Sequence, residues 1–142
     1  MSDTLKERPV FRNIHVTDIV KYRLPPAGIV SILHRVSGAI LFLLMPFVVW
    51  MFDTSVSSEM SYERFTSAFA AGLLGLPGWL VKLVTLGLIW AYLLHLIAGL
   101  RHLRMDATHR VSKEQGRSSA WVTLVLSTVL TLALGAKLFG LF

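Results

Sequence analysis

The stretch LVTLGLIWAYLLHLIAGL, residues 83–100, is apolar throughout and interrupted by one imidazole, His95. A run of this length suits a helix that crosses a bilayer, which takes roughly 17 to 25 residues. Two more runs share its character, Val36 to Phe52 and Ser118 to Ala136, the latter relieved only by glycine and by serine and threonine hydroxyls. Buried helices of a soluble bundle would keep a polar face, and these runs show none. The chain therefore reads as all-α and integral to a membrane, with three transmembrane helices at about 28–52, 79–104 and 118–140. Residues 25–142 would form the membrane-embedded part and 1–24 a cytoplasmic N-terminal arm. Three helices make a poor sealed bundle, so the chain is expected to be part of a multi-subunit helical bundle.

Composition supports this reading. Of 142 residues, 54% are hydrophobic and 15% charged, and the charges gather at the ends of the apolar runs instead of spreading along them. Lys6, Arg8, Arg12, Lys21 and Arg23 precede the first run, and Arg101, Arg104, Arg110, Lys113 and Arg117 lie between the second and third. The first loop has only Arg64 and Lys82 against Asp53, Glu59 and Glu63, and the C-terminus only Lys137. By the positive-inside rule the N-terminus and second loop face the cytoplasm and the C-terminus faces the periplasm. The net charge of +6 then reflects topology and contact with the lipid bilayer, not nucleic acid. The N-terminal MSDTLKERPV has no apolar core of a signal peptide. Cysteine is absent, which excludes disulfides, thiolate-held iron–sulfur clusters and covalent c-type haem within this chain. GLLGLPG at 72–78 carries glycine at every third position, but no strand precedes it, so it reads as a turn and not a dinucleotide fingerprint.

Two constellations carry chemistry. Ser31, His34 and Arg35 are spaced i, i+3, i+4 and share one helix face near the cytoplasmic end of the first span. Hydroxyl, imidazole and guanidinium there could hold a quinone carbonyl or a haem propionate. The plainer reading is an arginine reaching to lipid phosphate. The second constellation is HLIAGLRHLRMD at 95–106. His95 and Gly99 lie one turn apart, where glycine admits a flat group or another backbone. His102 lies on the same face about 10.5 Å nearer the cytoplasm. The pattern suits a haem along the helix, with iron at His95 and propionates toward the basic rim; the plainer reading is an interhelical hydrogen bond from His95. His34 and His95 sit at similar depth, roughly 9 Å from the cytoplasmic end. Depth permits both to ligate one iron, and equally permits His34 to stand beside the porphyrin.

SILHRVSG at 31–38 together with HLIAGLRHLRMD at 95–106 resembles the cytochrome b subunit of succinate dehydrogenase, respiratory complex II. Arg8–Pro9 and YRLPPAG at 22–28 fit the same family, and Ser37 stands where threonine is also common. The resemblance implies a membrane anchor for a flavoprotein subunit and an iron–sulfur subunit in a bacterial inner membrane. Haem b would be shared with a second small membrane anchor subunit, and ubiquinone or menaquinone would be the electron acceptor. By motif it makes His95 an axial iron ligand and His34 a neighbour of the propionates. Ser31, Arg35 and Asp106 would belong to the quinone pocket. The same machinery run in reverse would be a fumarate reductase. A haem-free structural membrane subunit is the alternative outside this chemistry. This chain alone has neither flavin motif nor cluster ligands, so it would not oxidise succinate unaided.

The charge asymmetry makes a direct prediction. A cysteine introduced at Ser57 should react with an impermeant thiol reagent from the periplasmic side, and one at Ser112 only after permeabilisation. Opposite labelling would invert the topology.

Overall fold

The computed structural model describes residues 17–18, 24–109 and 112–141; most of the expected N-terminal arm lies outside them. Five helices follow in order: α1 (Pro26–Leu43), α2 (Met45–Val56), α3 (Glu59–Ala70), α4 (Gly78–Thr108) and α5 (Lys113–Leu138). Among the described residues there is no strand, only an isolated bridge between Leu73 and Leu76. Helices α1, α4 and α5 are each long and apolar enough to cross a membrane.

Local chemistry explains most of the boundaries. Pro25 is extended and Pro26 occupies the first turn of α1, where a missing N–H costs nothing and the fixed φ suits a helix. Residues 28–52, expected as one helix, divide at Leu44 into α1 and α2. Pro46 sits in the first turn of α2; lacking an N–H, it cannot continue the ladder from α1. Helix α3 lies in what reads from sequence as a connecting loop. Ser58 and Ser61 cap it reciprocally, and Tyr62, Phe65 and Phe69 make tilted and edge-on ring contacts along it. GLLGLPG forms the expected tight turn: Gly72, Leu74 and Gly75 all have positive φ, and Leu73 and Leu76 exchange backbone hydrogen bonds of 3.0 and 2.9 Å. A Cβ on Gly78 would lie 2.6 Å from the carbonyl oxygens of Phe69 and Ala70, so glycine lets α4 start against the end of α3.

Helix α4 packs along both α1 and α5. Where all three meet, the core is built of small side chains, Val30, Ala98 and Ala120, flanked by Ala27 and Leu124. In lipid, tails are as apolar as side chains, so helices associate by close backbone approach, which small residues permit. The inward face of α5 follows the same rule with Ala120, Thr123, Ser127, Thr131 and Gly135. Its hydroxyls are satisfied within the helix, Thr123 donating to the Ser119 carbonyl at 3.0 Å and Thr131 to the Ser127 carbonyl at 2.7 Å.

Arg101 is turned inward. It is only 9% exposed, and its Nε donates to Ser119 Oγ at 2.9 Å while an Nη donates to the Gly116 carbonyl at 3.3 Å. Arg101, counted from sequence among the basic residues between the second and third apolar runs, thus ties α4 to the first turns of α5. Arg101→Leu should lower the thermal midpoint of helix loss in detergent by the equivalent of about 2 kcal/mol, the worth of a charged hydrogen bond. Arg101→Lys should not restore it, because ammonium lacks the guanidinium fork. An unchanged midpoint in Arg101→Leu would mean that the tie is not stabilising.

Candidate functional site

The site forms where the N-terminal half of α1 lies against the C-terminal half of α4. The His34 and His95 rings stack face to face, centroids 4.2 Å apart and planes 17° from parallel. His102 lies over His34 at 5.3 Å, tilted by 43°. Three of the five histidines of the chain therefore form one cluster, and two helices supply it because His95 and His102, seven residues apart, share a face of α4.

His95 is held by α1 backbone. Its Nδ1 lies 3.0 Å from the carbonyl oxygen of His34 and 3.4 Å from Ser37 Oγ. A carbonyl oxygen can only accept, so Nδ1 carries the hydrogen, and in the neutral ring the lone pair belongs to Nε2. The same His34 oxygen accepts from Ser37 Oγ at 2.9 Å. Gly38 makes room for the ring: a Cβ there would stand 2.9 Å from His95 Cε1 and 3.3 Å from Nδ1. At Gly99 the space is easier, with His34 Nε2 3.7 Å from an added Cβ.

The depth argument correctly put His34 and His95 at one level. Their stacking, however, does not suit the ligation of one iron from opposite sides. Such a pair needs two metal–nitrogen bonds of about 2 Å laid end to end between the rings, whereas these faces are in contact. Ser31 is half-buried and Arg35 exposed, one turn and one residue from His34. Neither forms a hydrogen bond or ion pair among the described residues. Asp106 is exposed near the end of α4, one turn beyond His102, and does not touch Ser31 or Arg35 through any hydrogen bond or ion pair. Ser31, Arg35 and Asp106 thus fringe the histidine cluster without being linked to it. Ser37 and Gly38 were not singled out as site residues from the sequence. Their signal was their place at i+3 and i+4 from His34, on the face that meets α4.

A separate cleft of about 470 Å³ opens on the other side of α4, against α5, lined by Arg101, Arg104, Thr108, Gln115, Ser118 and apolar side chains. It contains none of the histidines. Its walls include Arg101 and the Gly116 and Ser119 that Arg101 bonds.

The glycine clearances predict opposite outcomes for two similar substitutions. Gly38→Ala should destabilise the protein by about 1 kcal/mol or more, because the overpacking cost of roughly 1 to 3 kcal/mol exceeds the gain in helix propensity. Gly99→Ala should be neutral or stabilising. Thermal unfolding in detergent checks both, and equal behaviour of the two variants would contradict the close seat of His95 on α1.

Comparison with known proteins gives the same direction. A sequence profile described as "Succinate dehydrogenase/Fumarate reductase transmembrane subunit" matches residues 4–134. The chain is similar to the succinate dehydrogenase cytochrome b556 subunit of Coxiella burnetii (strain RSA 493 / Nine Mile phase I), 38% identical over 112 residues, covering 79% of this chain and 85% of that protein. It is similar to the protein of the same name from Paracoccus denitrificans, 35% identical over 109 residues, covering 77% and 78%. The succinate dehydrogenase cytochrome b560 subunit of Reclinomonas americana is 29% identical over 111 residues, covering 78% and 76%. Three apolar helices, a cluster of imidazoles between two of them and these matches lead to one conclusion: the chain belongs to the family of succinate dehydrogenase/fumarate reductase transmembrane subunits.

Proposed function

We propose that this chain is the haem b-binding membrane anchor subunit of a succinate:quinone oxidoreductase. The observation that carries the reading is the Nδ1 contact of His95 with the His34 carbonyl, 3.0 Å. It leaves Nε2 as the ring's lone-pair donor, and no hydrogen bond from the described residues reaches that atom. A metal-ligating imidazole commonly donates its other N–H to a carbonyl in this way. The donor set fits haem in two further respects. Gly38 and Gly99 keep the surroundings of the rings low, and Arg35 and His102 supply donors for carboxylate side groups. His95 would hold the iron, with His34, Arg35 and His102 holding the propionates. When bound, the haem supplies one-electron redox capacity within the membrane.

A further histidine to hold the group would come from another small anchor subunit. This chain's outer surface suits such partners and lipid alike: Phe42 is 77% exposed and Leu132 67%. A flavoprotein and an iron–sulfur subunit would dock on the cytoplasmic face of the inner membrane, where the basic residues gather. Ser31 and Arg35, with Asp106 nearby, would serve ubiquinone or menaquinone. The Ser31 hydroxyl can donate to a quinone oxygen. The Arg35 guanidinium favours the negative charge that develops on that oxygen during reduction over the neutral ring.

The test is purification of the complex through a tag on this chain. The reduced-minus-oxidised spectrum should show b-type bands, and the preparation should reduce quinone with succinate. His95→Leu should abolish or strongly perturb the bis-histidine spectrum, and His34→Ala should keep iron ligation while weakening haem retention or moving its potential. The reverse pattern would reassign the ligand, and a featureless spectrum of the unaltered complex would refute haem binding. Arg35→Leu should slow quinone reduction about ten- to a hundredfold, the equivalent of a charged hydrogen bond of roughly 1.5 to 3 kcal/mol. Ser31→Ala should act in the same direction. Succinate-to-dye activity of the assembled complex should survive both. Unaffected quinone reduction in Arg35→Leu would return that arginine to lipid anchoring.

A further inference from the structure

We infer that Ser37 is a positioning residue whose hydroxyl limits how strongly the His95 ring hydrogen-bonds to α1, and thereby raises the potential of the group His95 ligates. The inference rests on the haem reading of His95 and goes beyond it.

Ser37 bonds as helix serines commonly do, but to an oxygen that is already engaged. Ser37 is 0% exposed, and a buried helical hydroxyl is ordinarily satisfied by its own helix, at the third or fourth carbonyl back. Ser37 takes the third, the carbonyl of His34, at 2.9 Å. That is the oxygen to which His95 Nδ1 donates at 3.0 Å. A carbonyl oxygen offers two lone pairs, and this one also belongs to the α1 ladder. Ser37 and His95 therefore compete for one acceptor, and each weakens the other's bond.

The direct Ser37 Oγ to His95 Nδ1 separation is 3.4 Å, the outer limit of a hydrogen bond. The hydroxyl's main effect on the ring thus passes through the shared oxygen. A stronger Nδ1–H donation makes Nε2 a more basic ligand, and a more basic ligand favours the more highly charged, oxidised iron. By weakening that donation, Ser37 would favour the reduced form. No other side chain on either helix makes a hydrogen bond to His95 among the described residues, so the device consists of Ser37 and one backbone carbonyl.

The test is a redox titration of the b-type absorption band in membranes carrying the assembled complex, with electron paramagnetic resonance of the same samples. Ser37→Ala should retain haem and two-imidazole ligation. Its potential should fall by a threefold or greater change in the oxidised-to-reduced ratio, which at about 59 mV per tenfold is about 28 mV. Ser37→Thr, which keeps the hydroxyl, should stay at the unaltered value. Ser37→Cys should fall by less than Ser37→Ala, because a thiol is a weak donor, and it carries the test if the alanine variant fails to assemble. An unchanged or raised potential in the assembled Ser37→Ala complex, or in the cysteine variant in its place, would overturn the inference and leave the haem reading intact. So would a fall in Ser37→Thr equal to that in Ser37→Ala. Absence of b-type bands in the unaltered complex would instead remove the haem reading itself.

Discussion

The site depends on one backbone oxygen. The His34 carbonyl accepts from His95 Nδ1 at 3.0 Å and from Ser37 Oγ at 2.9 Å, and through the first of these it joins α1 to α4. Between two helices surrounded by lipid, hydrophobic burial supplies little preference for one rotation over another. A directional hydrogen bond does supply it. Once His95 is seated on His34, the His34 ring falls against the His95 ring and His102 closes over it. Gly38 leaves the space that the His95 ring occupies when the bond forms.

The opposite side of α4 is governed by a second polar contact. Arg101 reaches the start of α5 through Ser119 and the Gly116 carbonyl. A guanidinium nine-tenths buried near the end of a span needs acceptors, and the first turns of α5 provide them. Helix α4 is therefore anchored by an imidazole toward α1 and by a guanidinium toward α5. Between them lies a core of alanine, valine, glycine and hydroxyl side chains that contributes close fit more than bulk. This division keeps the histidine cluster apart from the α4–α5 cleft, although both lie within two turns of the same helix.

Much of the architecture was legible from the residues. Three apolar runs set three spans because bilayer thickness dictates helix length. The equal depth of His34 and His95 followed from the constant rise of a helix. The first span, by contrast, reads from sequence as one helix but breaks just before Pro46, which has no N–H to give. Helix α3 escaped notice because its charges, Glu59, Glu63 and Arg64, resemble those of a loop. Its cap is also Ser58 with Ser61, not the serine–glutamate pair that signals a helix start most clearly.

The sequence alone determined that this chain has three apolar helices long enough to span a membrane, and that His34 and His95 lie at one level, since these depend on composition and on distance along a helix. It could not decide how each helix is turned about its axis. Helices apolar on every side carry no periodic signal to orient them, and lipid and neighbouring helix are equally acceptable environments. That rotation is set by pairwise contacts distant in sequence: a ring hydrogen on a carbonyl 61 residues away and a guanidinium on a hydroxyl 18 residues away. Tertiary structure therefore decided that Arg101 faces inward, that Gly38 is the seat of His95, and that Ser37 shares an acceptor with it.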